Sequence, residues 1–171
     1  MIRLNELESI LLEMENTSDV KVNKDSINFK YNNGGVSLTV QDKGDFIESK
    51  MILMSVFRSP KKFENTVEGD KIAEKTNLTT LTPCKVIYVG PGVGSDGHGF
   101  FLMRNVFTDK LNNFADINSD INADSININE RLRRSNIKVL ILAMMIENNV
   151  CYKDIYANIE AVYIEAEDES K

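Results

Sequence analysis

The residues with the most chemical potential gather in one short stretch, Gly90-Pro91-Gly92-Val93-Gly94-Ser95-Asp96-Gly97-His98-Gly99, directly after an apolar run. Gly92-x-Gly94-x-x-Gly97 has the spacing of a dinucleotide fingerprint, which works when a helix opens at the third glycine and aims its N-terminal amides at pyrophosphate. Here Phe100-Phe101-Leu102-Met103 follows, a run that predicts a returning strand, and no Gly-Lys-Ser/Thr is present to form a phosphate loop. The stretch reads as a long hairpin loop, with Gly92, Gly94, Asp96 and His98 as candidate contacts to a partner. Ser95, Asp96 and His98 supply the residue types of a hydrolytic triad, but a triad needs three groups converging on rigid supports, and one loop supplies none. His98 is the chain's only histidine. Its simplest reading is a solvent-facing loop residue, with a Cys-His pair to Cys84 or Cys151 left open because spatial neighbours need not be neighbours in sequence.

Further clusters carry charge or metal-ligating groups. Asp116, Asn118, Asp120, Asn122 and Asp124 fall on every second position, as calcium ligands do. The sixth position is Ile121, where a glycine makes the turn, and the twelfth is Asn127, where a bidentate glutamate closes the site. An Asx-rich connector that favours turns accounts better for the pattern, so no metal site and no cofactor are expected. Arg131, Arg133, Arg134 and Lys138 stand at the start of a predicted helix, where the dipole disfavours cations. They are expected to pair with acids or to dock an acidic segment of a partner. Cys84 and Cys151 are too few for a tetrahedral thiolate site and read as a reduced, partly buried pair in a cytoplasmic protein.

A chain of 171 residues, 42% hydrophobic, is long enough to bury one core without disulfide or metal. Its net charge of −6 argues against general nucleic-acid binding, which depends on cations, and against attraction to an anionic membrane. Acids interleave with the apolar residues of the first sixteen positions, so no signal-peptide core is expected. The longest apolar run, 139–146, is far too short to span a bilayer.

The elements that must position these residues show in the periodicity. Leu4, Leu7, Leu11 and Met14 form one stripe of an amphipathic helix. The period then changes to two: Ile27, Phe29 and Tyr31 alternate with polar residues, Asn32-Asn33-Gly34-Gly35 turns, and Val36, Leu38 and Val40 return, which predicts a hairpin. Phe46 to Phe57 reads as a longer third strand, and Asp19 to Val22 as a short edge strand. Ser59-Pro60 signals a helix start, so a second helix is expected over 61–77, interrupted by Gly69. Cys84 to Val89 and Phe100 to Phe107 read as strands, and 108–128 as the connector. From Asn129 to Glu147 helical spacing returns with apolar residues on two sides: Ile137, Leu140, Ile141, Met144 and Met145 on one, Val139, Leu142, Ala143 and Ile146 on the other. Such a helix needs cover twice, from the sheet and from a last helix or a second subunit. Tyr152 to Ala166 is a clean amphipathic helix, and Asn148-Asn149 either breaks or bends the connection. The expectation is one α+β domain over 1–171, with an antiparallel sheet of five to six strands, helices packed against it in the order α-β-β-β-α-β-β-α, and a C-terminal helical region at 129–167.

Leu4-Asn5-Glu6-Leu7, the strand Gly35-Val36-Ser37-Leu38-Thr39-Val40, the turn Gly44-Asp45-Phe46, Lys85-Val86-Ile87-Tyr88-Val89 and Glu130-Arg131-Leu132 together resemble the YbjN family of bacterial proteins and, in fold, the class I chaperones of type III secretion. The resemblance implies a small, acidic homodimer that binds protein segments and has no enzymatic activity. Joined to the absence of a catalytic constellation, it points to a non-enzymatic, cytoplasmic protein-binding module, chaperone-like or an adaptor or regulator. Such a module holds a polypeptide partner at a strand edge or in an apolar groove. Arg131, Arg134, Lys138, Met144, Met145, Tyr156, Ile159 and Tyr163 are its candidate contact residues. The alternatives are a small-molecule or nucleotide-binding protein using the Gly90 to Gly99 loop, and a structural subunit of a phage or secretion assembly.

Overall fold

The computed structural model describes residues 2–32, 34–41, 50–60, 63, 66–91, 98–107 and 123–169. Helix α1 (Leu4–Leu12) leads into strands β1 (Thr17–Val22), β2 (Ser26–Tyr31), β3 (Gly34–Gln41) and β4 (Lys50–Arg58). Helix α2 (Thr66–Thr79), strands β5 (Lys85–Pro91) and β6 (His98–Phe107), and helix α3 (Ala123–Glu169) complete the order. The strands form one six-stranded antiparallel sheet ordered β1-β2-β3-β4-β6-β5, so the chain is α+β, as the switch of hydrophobic period from helical spacing to strict alternation predicts. Two compact units divide it: Met1–Leu53 with Asn105–Met144, and Met54–Arg104 with Met145–Lys171.

In the first unit, α1 packs on β1 and β2 and buries Leu7, Ile10 and Leu11, which its helical spacing places on one side. Ile27 and Phe29 of β2 and Leu38 of β3 are buried, while Asn28 and Lys30 are exposed, the alternation of a half-buried hairpin. Tyr31 pairs with Gly34, so Gly34 and Gly35 belong to β3 and not to the expected turn; Asn32 takes φ 48, in the left-handed region that asparagine tolerates. Arg133 of α3 pairs with Glu6, and Arg134 reaches Ser9 Oγ at 3.0 Å and Glu13 Oε1 at 2.8 Å, clamping this part of α3 to α1.

The second unit closes α2, β5, β6 and the later part of α3 around Ile72, Val86, Phe100, Leu102, Ile155 and Ile159. Its arrangement corrects the expected start of α2, which opens at Thr66 rather than at Ser59-Pro60. The Ser59 N–H donates to the His98 carbonyl at 2.8 Å, carrying sheet pairing past β4, and Phe63 is buried against the rings of Tyr88, His98 and Phe100. These tertiary contacts outweigh a local start signal. Gly69 does not interrupt α2. A Cβ at this position would stand 2.5 Å from the Tyr88 ring, so the glycine is what lets α2 lie close on β5.

Helix α3 is continuous through Asn148 and Asn149, and it opens at Ala123, inside the segment expected to be connector. Asn148 is buried, with Nδ2 donating to Ser55 Oγ at 2.9 Å and Oδ1 accepting from Cys84 Sγ at 3.2 Å. Tertiary partners satisfy the amide that would otherwise favour a turn. Since 129–147 and 152–166 belong to one helix, the second cannot fold back to cover the first.

Candidate functional site

Strand β5 ends at Pro91 and β6 begins at His98, so the glycine-rich segment joins two antiparallel strands. Residues 92–97, with the candidate contacts Gly92, Gly94 and Asp96, lie outside the described residues. A strand follows the third glycine where a dinucleotide fingerprint requires a helix N-terminus, and a strand offers no fan of free amides.

His98 departs from the expected solvent-facing loop residue. As the first residue of β6 it falls on the same face as Phe100 and Leu102 by strand alternation, and it is half-buried. Its Nδ1 lies 2.5 Å from Tyr88 Oη, the two rings are nearly parallel, with 9° between planes and centroids 6.1 Å apart, and Phe63 meets the imidazole edge-on at 5.0 Å. Burial, ahead of the Asp70 and Glu68 carboxylates, pushes the Tyr88 phenol up, which keeps it protonated and neutral in this cluster. The geometry fastens the β5–β6 hairpin to a ring cluster. Cys84 directs its thiol to Asn148.

Of the calcium-like pattern, Asp116 to Asn122 lie outside the described residues, and Asp124 belongs to α3. Among the described residues no group of three His, Cys, Asp or Glu side chains is gathered to hold a metal ion.

The residues expected to meet a partner are sorted by the packing of α3. Met144, Met145 and Ile159 are buried, and Arg134 is engaged with Ser9 and Glu13, so these four serve the chain's own interior. The reason is that α3 is apolar on two sides, and the side carrying Ile137, Ile141 and Met144 is the one the protein itself covers. Arg131 and Tyr156 are exposed, Lys138 is half-buried, and the side chain of Tyr163 lies outside the described residues.

The opposite side of α3 carries the most unusual surface. Its exposed residues between 132 and 150 are Leu132, Ser135, Asn136, Val139, Ala143, Ile146, Asn149 and Val150, and none is charged. The charged residues of this stretch, Arg133, Arg134, Lys138 and Glu147, are all half-buried; Arg133 pairs with Glu6, Arg134 with Glu13 and Glu147 with Arg104. In a chain with 27% charged residues, this inverts the usual rule that charge faces water. Leu132 is 56% exposed, Val139 61%, Ile146 61% and Val150 41%. Leu132, Val139 and Ile146 stand at heptad intervals, with Ala143 and Val150 at the intervening positions, which is the seam a second helix fits. Among the described residues no helix is long and apolar enough to cross a membrane.

Both sheet edges are blunted. On edge strand β5, the Asn77 side chain takes the place of a neighbouring strand: Nδ2 donates to the Val86 carbonyl and Oδ1 accepts from the Val86 N–H, each at 2.8 Å. On edge strand β1 the register slips between Ser18 and Lys21, Asp19 takes φ 53, and its carboxylate holds Lys30 at 2.6 Å. The lysine keeps that carboxyl below the usual carboxylate range. A bulge and a plugged edge oppose the addition of a further strand.

Periodicity alone does not rank the two apolar sides of α3, and the candidate contacts Met144, Met145 and Ile159 lie on the buried one. The signal that decides is where the charges fall. No protein-family model, curated relative or solved structure matches this chain.

Proposed function

We propose that the protein is a non-enzymatic, cytoplasmic protein-binding module, chaperone-like or adaptor in character, which works through the outward face of α3. The observation that carries this reading is the uncharged seam of Leu132, Val139, Ile146 and Val150 on a stretch of α3 whose charged residues between 132 and 150 are all half-buried. A seam with this spacing accepts an amphipathic helix laid along it, and the blunted edges of β1 and β5 make strand addition the weaker mode.

The occupant with the right chemistry is the same face of a second copy. Two chains of net charge −6 repel over most of their surfaces, and an uncharged seam is where they can meet without bringing like charges together. An isologous pairing of one patch with itself gives the homodimer expected from the resemblance. Light scattering over a concentration series tests it: the reading requires a mass that climbs from one chain to two and stops there. A mass of one chain at every concentration would remove the second copy as occupant, and continued growth beyond two would replace a closed seam by open association.

A further inference from the structure

The two cysteines, unused by the reading above, stand together in the second unit. Both are free thiols and both are buried. Cys84 Sγ donates to Asn148 Oδ1 at 3.2 Å, and Cys151 follows Asn148 by one turn on the same buried side of α3. Both cysteines belong to one buried cluster; the neighbouring Cys151, with burial second, pushes the Cys84 thiol up. The partner shift is opposite. Hydrogen bonding from Cys84 pulls the Cys151 thiol down against the effect of burial, with the Thr82 and Thr80 hydroxyls adding to it.

Access comes from the short connector between α2 and β5. Thr80 and Thr82 hydroxyls share a hydrogen bond at 3.1 Å within it, Leu81 between them is fully exposed, and Cys84 is its last residue before β5. Pro83 and Lys85 on either side of Cys84 are exposed, so the buried sulfur lies one residue from solvent along the chain.

We propose that Cys84 and Cys151 form an oxidisable dithiol, a modification site for hydroperoxides, whose product is an intramolecular disulfide fastening the start of β5 to α3. The Cys151 sulfur, giving up its proton, attacks one oxygen of hydrogen peroxide, the O–O bond breaks, and the departing hydroxide takes that proton and leaves as water, with sulfenic acid on Cys151. The Cys84 sulfur then attacks the Cys151 sulfur and expels the hydroxyl, which takes the Cys84 proton and leaves as a second water. Two electrons pass from the pair of sulfurs to the peroxide, and both thiol hydrogens end in water.

The experiment uses the full chain, oxidised with hydrogen peroxide while folded, then quenched, unfolded in an alkylating agent and mapped by mass spectrometry without reductant. The expected result is one peptide pair joined through Cys84 and Cys151, lighter by two hydrogens and unalkylated, with both thiols restored by dithiothreitol. In Cys84→Ala the Cys151 peptide should instead carry sulfenic or sulfinic oxygen. Full alkylation of both cysteines after peroxide, cysteine oxygenation without cross-linking in the wild type, or an interchain disulfide would each overturn the proposal. If Cys84→Ala does not fold, the wild-type map alone decides. None of these readouts depends on the outward face of α3.

Discussion

Replacing Asn77 with alanine strips edge strand β5 of its surrogate neighbour. The amide makes two neutral hydrogen bonds of 2.8 Å to one residue, Val86, whose side chain is buried. A neutral hydrogen bond contributes about 0.5–1.5 kcal/mol net, and a buried group left unpaired costs about 1–3 kcal/mol. Against this, alanine improves a helix interior by roughly 0.6 kcal/mol over asparagine. The site is part-buried, so water recovers some of the loss, and the net expectation is a destabilisation of about 2 kcal/mol. For a chain of this length that lowers the thermal midpoint by about 4–8 °C. Thermal unfolding measures the total, and hydrogen exchange at the Val86 amide reads the site itself: protected in the parent, fast in Asn77→Ala. Asn77→Asp keeps an acceptor for the Val86 N–H but sets carboxylate oxygen against the Val86 carbonyl, so it should recover less than half of the loss. An Asn77→Ala protein within about 0.5 kcal/mol of the parent, with Val86 still protected, would refute the surrogate-strand account.

Gly69→Ala should destabilise the second unit even though alanine is better than glycine in a helix by about 1 kcal/mol, because its Cβ would meet the Tyr88 ring at 2.5 Å. An unchanged or raised midpoint would mean that the ring has room to move. Alkaline pH should weaken the same unit. Tyr88 and Tyr152 are both pushed above the ordinary tyrosine value of 10.0, chiefly by burial, so the unfolded chain loses these protons first. Their contribution is fully present below pH 10.0 and is lost as pH rises from there through the higher folded values. Urea titrations across that range should show a steeper decline for the parent than for Tyr152→Phe, and parallel curves would contradict the assignment.

The elements legible in the sequence are those whose local period and tertiary role agree. The α1 stripe and the β2–β3 hairpin form where the period places them, with a positive φ at Asn32, although α1 ends at Leu12, before Met14, and Gly34 and Gly35 join β3. Where long-range bonds compete, the local signal loses. Ser59-Pro60 reads as a helix start, yet the Ser59 N–H is taken by His98 and Phe63 is drawn into the ring cluster. Asn148-Asn149 reads as a break, yet Ser55 and Cys84 satisfy the Asn148 amide inside the unit. His98 could have been placed by extending the alternation back from Leu102 and Phe100, but the surrounding glycines masked it as loop. On α3 the two apolar sides are equivalent by spacing, and the candidate contacts Met144, Met145 and Ile159 lie on the buried one. Only the paired, inward placement of Arg133, Arg134 and Glu147 separates the two sides, and that depends on Glu6, Glu13 and Arg104 from distant parts of the chain.

The outward face of α3 is most directly tested by placing charge in its seam. Val139 and Ile146 are 61% exposed, so glutamate at both positions leaves the interior untouched and the thermal midpoint close to the parent's. Within a paired seam each substitution forfeits roughly 1 kcal/mol of apolar burial and adds a poorly solvated charge, so two in each of two chains weaken association by well over a hundredfold. In sedimentation equilibrium the account predicts a self-associating parent and a folded, monomeric Val139→Glu/Ile146→Glu variant; a variant that associates as tightly as the parent would contradict it.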